Sequence, residues 1–177
     1  MKKIVFFAFL LLATIAFMSS CERNDNQEWK MINDQWWTEW EKEVKAYNDT
    51  VDTIRYRPDG DKIDTIRVYK YQTTESGLIY KVILDEGLRY PNENSYVKVT
   101  YTGSFINGRS FDSISEPTWL KLTQLVPGWL EGLKTIKDRG KIKLYVPYTL
   151  GYGESGSGSI PPYSMLVFDV HLHDSLY

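Results

Sequence analysis

Residues 150–170 read LGYGESGSGSIPPYSMLVFDV, and the fold turns on whether these glycines open a helix or a loop. Residues 151–156, GYGESG, satisfy G-x-G-x-x-G, the pattern that cradles a dinucleotide pyrophosphate, and they follow a strand-like KIKLYVP at 141–147. That motif works only when the glycines lead into a helix whose first amides hold the phosphates. Here they run on through SGS into Pro161 and Pro162 and then into an alternating apolar run. Prolines lack an amide donor and push the preceding residue away from helical geometry. The stretch is a long loop between two strands, and the nucleotide reading fails.

The flanking sequence has the same texture from residue 76 onward. GLIYKVILDEG (77–87) and SYVKVTYTG (95–103) alternate, with Val97, Val99 and Tyr101 on one face of the second. Asn107-Gly108 is a turn signal before RSFDS. KIKLYVP places Ile142, Leu144 and Val146 inward, and MLVFDVHL does the same with Leu166, Phe168, Val170 and Leu172. VPGWLEGLKTIKDRG (126–140) reads as the one helix of this half: Pro127 near its start, Trp129, Leu133 and Ile136 on one face, Gly140 at its end. Antiparallel strands and one helix predict an α+β domain with the helix laid across the sheet.

The N-terminus carries a different signal. MKKIVFFAFLLLATIAFMSSC (1–21) has two lysines, an apolar stretch and a small-residue pair, which is the pattern of a secretory signal peptide over 1–20. Cys21, the chain's one cysteine, follows directly and resembles the lipid-bearing residue of a bacterial lipoprotein, with Met18 where leucine is usual. The alternative is an ordinary signal peptide with an unpaired thiol beside it. Residues 21–27 then form a lipidated tether, and the expected location is the bacterial envelope, outer membrane, on its periplasmic or surface face. Removing the signal takes the formal charge from −2 to −4, without the basic patch that nucleic acid requires. His171 and His173 alternate on the last strand and read as an exposed face rather than a metal pair.

Residues 28–73 form an extension. Trp29, Ile32, Trp36, Trp40, Val44 and Tyr47 recur at helical steps, and DTIRYR and DTIRVY around Pro58-Asp59-Gly60 read as a β-hairpin over 52–70. The aromatic stripe is covered by the protein's own domain, by a second copy in a homodimer, or by unfolded clients.

VTYTGSFINGRSFDS, LVPGWLEGL and GYGESGSGSIPPYSMLVFDV resemble, in order and spacing, the signature segments of the FKBP-type peptidyl-prolyl cis-trans isomerase family. The resemblance covers about residues 74–173 and implies a domain over 74–177: a twisted antiparallel sheet wrapped over one short helix, with an apolar pocket between them. It implies pocket positions at Tyr101, Phe111, Asp112, Val126, Trp129 (the floor), Tyr152, Ile160 and Phe168, with Leu125, Thr118 and Trp119 at the rim. It further implies that the Val126 amide and the Tyr152 hydroxyl donate to substrate carbonyls.

The match has four departures. ISEPTW (114–119) is several residues shorter than the family's segment; an arginine that often pairs with the Asp112 position has no counterpart; an expected aromatic falls on Thr118, with Trp119 beside it, so that either Trp119 swings in or the pocket is more open; and the lid that GYGESGSGSIPP is expected to form over the pocket is about a residue short.

The implied reaction explains the missing nucleophile, base and metal. A prolyl bond resists twisting by a barrier of about 18–20 kcal/mol, and the twisted state loses amide resonance and dipole. A dry, ring-lined pocket favours that state, and no cofactor is required. The expected partners are proline-containing polypeptides and, through Cys21, a membrane. The competing readings are a proline-peptide binding module and a holdase working through the tryptophan helix.

Overall fold

The computed structural model describes residues 25–50 and 70–177. The signal, Cys21 and all of the expected hairpin except Lys70 lie outside them. The described chain runs α1 (Asp25–Thr50), β1 (Tyr71–Thr73), β2 (Ile79–Leu84), β3 (Tyr96–Phe105), β4 (Ser110–Lys121), a 3-10 turn (Leu122–Gln124), α2 (Pro127–Leu133), β5 (Gly140–Val146), a second 3-10 turn (Tyr148–Leu150) and β6 (Leu166–Leu176). One six-stranded sheet has the order β1-β2-β5-β6-β3-β4, with every neighbour antiparallel. The α+β expectation holds, and residues 151–165 form a loop with no helix in it.

Alternation separates the two faces of this sheet, because successive strand side chains point to opposite sides. Val97 and Val99 of β3, Ile142, Leu144 and Val146 of β5, and Leu166, Phe168, Val170 and Leu172 of β6 form the inner face, all buried against α2. Two glycines set that contact. A Cβ at Gly132 would stand 2.4 Å from Leu144 Cδ2, and one at Gly128 would stand 2.7 Å from Val146 Cγ1. Helix α2 therefore lies closer to β5 than any side chain would allow.

Helix α1 covers part of the other face. Val44 is buried there with Ile79, Tyr145 and Val167, and Trp36, Trp37, Trp40 and Tyr71 pack around them. Trp40 lies 4.5 Å from Tyr145 between ring centroids and 5.4 Å from Tyr71. Of the sequence's three candidates, this chain's own sheet covers the stripe. Asn33, and not Ile32, takes the inward position near Trp29: Asn33 is fully buried and Ile32 is exposed. At the far end Asn48 pairs with β1 as a strand would, donating to Tyr71 O at 2.9 Å and accepting from Tyr71 N at 3.0 Å.

Tyr71–Thr73, within the 28–73 extension, pairs with β2 as an edge strand. One expectation needs correction: Gly140 does not end the helix. Helix α2 stops at Leu133, and Gly140 opens β5, where a Cβ would meet Lys137 O at 2.6 Å. The short ISEPTW segment lies within β4. Pro117 is tolerated because it falls in the register shift of the edge strand β4, between Ile114 and Thr118, where it has no ladder partner.

The turn between α2 and β5 is fastened by Asp138, which is buried and accepts from Leu88 N at 2.7 Å, Arg89 N at 3.0 Å and Arg89 Nε at 3.2 Å. Burial works to raise its carboxyl, but these backbone donors and the guanidinium outweigh it and hold the group below the ordinary aspartate range. A depressed folded-state pKa contributes stability that is present above the unfolded value and lost as pH falls through the folded one. Asp138→Ala removes a charged acceptor shared by three donors and should cost about 2–3 kcal/mol in urea unfolding at neutral pH. That difference from wild type should narrow below about pH 4, the unfolded aspartate value. An equal difference at all pH values would contradict this assignment.

Candidate functional site

The positions proposed for the pocket converge between α2, β3, β4, β6 and the 151–165 loop. Trp129 faces the sheet from the first turn of α2, which opens on Val126 in extended geometry with Pro127 directly after it. Its indole meets the Phe168 ring edge-on at 5.3 Å and the Tyr101 ring at 4.9 Å. Phe111 stands edge-on to Phe168 at 5.7 Å. These are the perpendicular arrangements that aromatic quadrupoles prefer. Gly103, between Tyr101 and Phe105 on β3, makes room for them: its Cβ would lie 2.8 Å from Phe111 Cζ and 2.9 Å from Phe168 Cε1.

Burial grades the set. Trp129, Phe168 and Ile160 are buried, Tyr101, Phe111, Leu125 and Val126 are half-buried, and Asp112 and Tyr152 are exposed. Such a gradient suits a floor of packed rings beneath a polar mouth. At that mouth the Tyr101 hydroxyl donates to Asp112 Oδ2. This bond supplies the partner that the absent arginine left open. Burial, and then donation to Asp112, push the Tyr101 phenol well above its ordinary range. Burial, and then the Asp112 charge, raise that of Tyr152. Both hydroxyls therefore stay protonated donors at neutral pH.

The loop expected to act as a lid is fastened by its own backbone. Ser157 and Ile160 exchange backbone hydrogen bonds at 2.9 Å each way, and Tyr163 N donates to Gly153 O at 3.0 Å. Gly156 has φ +68°, and a Cβ there would meet Ile160 O at 2.2 Å. Glycine is required on both counts. Ile160 turns inward to the core, and the Tyr152 ring stays at the surface. Among the described residues neither the Val126 amide nor the Tyr152 hydroxyl donates to any other group.

Two rim positions separate. Thr118 pairs with Val99 across the ladder, on the inner side, and its Oγ1 donates to Glu116 O at 2.8 Å. Trp119 pairs with Lys98, whose Nζ lies 5.9 Å from the indole centroid. Strand alternation thus points Trp119 away from the ring cluster, and it does not swing in. The wall at Thr118 is the more open one.

The sequence reading missed Phe105, which is buried with its ring 5.0 Å from Phe111 and forms the back of the same wall. Its signal was available, since Phe105 has the strand parity of Tyr101 and Gly103. His171 and His173 lie side by side on the sheet's other face, ring centroids 3.9 Å apart. Burial lowers both imidazoles, which also face neighbouring cationic groups. No cluster of three or more His, Cys, Asp or Glu able to hold a metal occurs among the described residues.

Comparison with known proteins agrees with this geometry. The family model for FKBP-type peptidyl-prolyl cis-trans isomerases matches residues 87–173. FkpA, an FKBP-type peptidyl-prolyl cis-trans isomerase of Escherichia coli strain K12, is 44% identical over 106 residues, covering 58% of this chain and 39% of that protein. A probable isomerase of the same type from Haemophilus influenzae is 45% identical over 107 residues, 58% of this chain and 44% of that one. The chain thus spans about two-fifths of the length of these relatives. The crystal structure of E. coli FkpA superposes with a TM-score of 0.59 at 28% identity, covering 99% of this chain and 82% of that one. That of AtFKBP13 gives 0.55 at 27% identity, covering 60% and 98%. Residues 87–173 therefore form a domain of the FKBP-type peptidyl-prolyl cis-trans isomerase family.

Proposed function

We propose that this protein is a peptidyl-prolyl cis-trans isomerase that assists folding of exported proteins in the bacterial envelope, held at the outer membrane by a lipid on Cys21. The observation that carries the reading is the ring cluster of Trp129, Phe168, Phe111 and Tyr101 beneath two unengaged donors, the Val126 amide and the Tyr152 hydroxyl.

The mechanism needs no bond-making. A prolyl ring rests on the Trp129 indole, with Phe111 and Phe168 as walls. The Val126 amide and the Tyr152 hydroxyl grip carbonyls on either side of the prolyl bond. Rotation removes amide resonance and most of the dipole, so exclusion of water penalises the planar form more than the twisted one. Donors that fit the twisted chain better than the planar one add differential binding, which is what lowers a barrier. Asp112, by accepting from Tyr101, fixes one wall of the mouth.

A binding module with little turnover is the second reading, supported by the open wall at Thr118. For the tryptophan helix, a second copy or an unfolded client would have to meet its outward side, where Met31 and Ile32 are exposed. The lipid anchor and the envelope location rest on the pattern of residues 1–21, together with the bacterial origin of the relatives.

A soluble form beginning after Cys21 should accelerate exchange of a proline peptide in a protease-coupled assay. Tyr152→Phe should lower kcat/KM about three- to tenfold, the worth of one hydrogen bond of ~1 kcal/mol. Trp129→Leu should reduce it further while the far-ultraviolet dichroism of the sheet persists. Wild-type rates at background, with measurable binding of the same peptide, would replace the enzyme by the binding module. A second measurement separates the polar mouth from the floor. Asp112→Ala should raise KM with less effect on folding stability than Trp129→Leu, whose large buried ring costs about 3 kcal/mol or more to truncate. A reversed order would place the binding contacts elsewhere.

A further inference from the structure

Helix α1 lies at the opposite end of the chain from the lid, yet it touches the lid's return at several points. The Trp29 indole N–H donates to Ser164 Oγ at 2.9 Å across 135 residues of sequence. Ser164 Oγ in turn donates to Pro161 O at 2.8 Å. Asn33, fully buried, accepts from Met165 N at 2.8 Å and donates to Trp29 O at 2.8 Å. Asn33 is thus a bracket: one end of its amide holds the helix and the other holds the lid. Lys30 Nζ stands 5.3 Å from the Tyr163 ring centroid and 5.8 Å from that of Tyr148.

The segment being held is a strained one. Tyr163 has φ +60°, a left-handed conformation that a bulky residue adopts only where its surroundings impose it. The same residue hydrogen-bonds Gly153, next to Tyr152. Two residues before Tyr163 the chain is Pro161, directly after Ile160. Both lid side chains proposed to meet substrate therefore hang from the stretch that α1 grips. A second path leads to the same place, because the Trp29 ring packs edge-on against Phe105 at 5.9 Å and Phe105 against Phe111 at 5.0 Å.

We propose that α1 is a strut for the lid, and that Asn33 and Trp29 are positioning residues for the prolyl site, acting through Ser164, Met165 and Phe105 without touching substrate. The inference rests on the isomerase reading for its catalytic consequence but not for its structural one. The N-terminal helix then belongs to the working site and is more than a spacer between the domain and whatever precedes it.

The test uses the protein from after Cys21 onward, as wild type, Asn33→Leu and Trp29→Phe. Leucine keeps the branched shape of Asn33, in a larger side chain, and removes its bracket; phenylalanine keeps a ring against Phe105 and removes the donor to Ser164. Amide hydrogen exchange at Ile160, Tyr163 and Met165 should quicken about tenfold in Asn33→Leu, and the amides of Leu144 and Phe168 should change far less, because local opening and global unfolding expose different amides. In the isomerase assay, kcat/KM should fall several-fold, chiefly through KM. Unchanged exchange in the lid would overturn the proposal, and so would equal acceleration in lid and core, which marks a loss of global stability alone. Should wild type show no isomerase turnover, the proposed function fails, and the exchange measurement still decides the strut.

Discussion

The Trp129 indole, standing edge-on to Phe168, is the contact on which both the fold and the site depend. It joins the one helix of the inner face to β6. The same helix comes close to β5 because Gly128 and Gly132 present no side chain to Val146 and Leu144. The helix buries this ring against the sheet with Tyr101 beside it, and Gly103 lets Phe111 meet Phe168.

From that contact the chemistry follows by subtraction. The mouth offers phenols held in their protonated form, a carboxylate already engaged by Tyr101, and a backbone amide at the start of α2. Nothing in this group is placed to accept a proton from substrate or to attack it. In the proposed reading it would hold an extended chain at two carbonyls while an apolar ring sits out of water. Proline is the residue whose slow step such a grip would speed.

Much of this was legible in the sequence, because period-two alternation is a direct consequence of strand geometry. Ile142, Leu144, Val146, Phe168 and Val170 fell on the inner face as their spacing demanded. The nucleotide motif failed for the reason that Pro161 and Pro162 supplied. The misreadings occurred where tertiary contacts override local pattern. Gly140 looked like a helix stop; Arg139 instead takes the left-handed step at φ 62°, and Gly140 is needed for close backbone approach. Asn33 was passed over as a polar residue beside Ile32, although a buried asparagine that brackets two backbones is invisible to a count of apolar positions. Trp119 was offered a place in the pocket by its neighbourhood, and a one-residue parity sent it to the other face. Asp112 found its partner in a tyrosine already assigned to the wall, a pairing that depends on β3 and β4 being neighbours.

The central claim is that the site eases a rotation without moving a proton. The most direct measurement is the catalysed exchange rate of a proline peptide lacking ionisable groups, followed by NMR across about pH 5.5 to 9, below the ordinary tyrosine value of about 10. The account predicts a flat profile, since the hydroxyls of Tyr101 and Tyr152 remain protonated throughout. A bell-shaped profile, the mark of an essential acid and base, would contradict it.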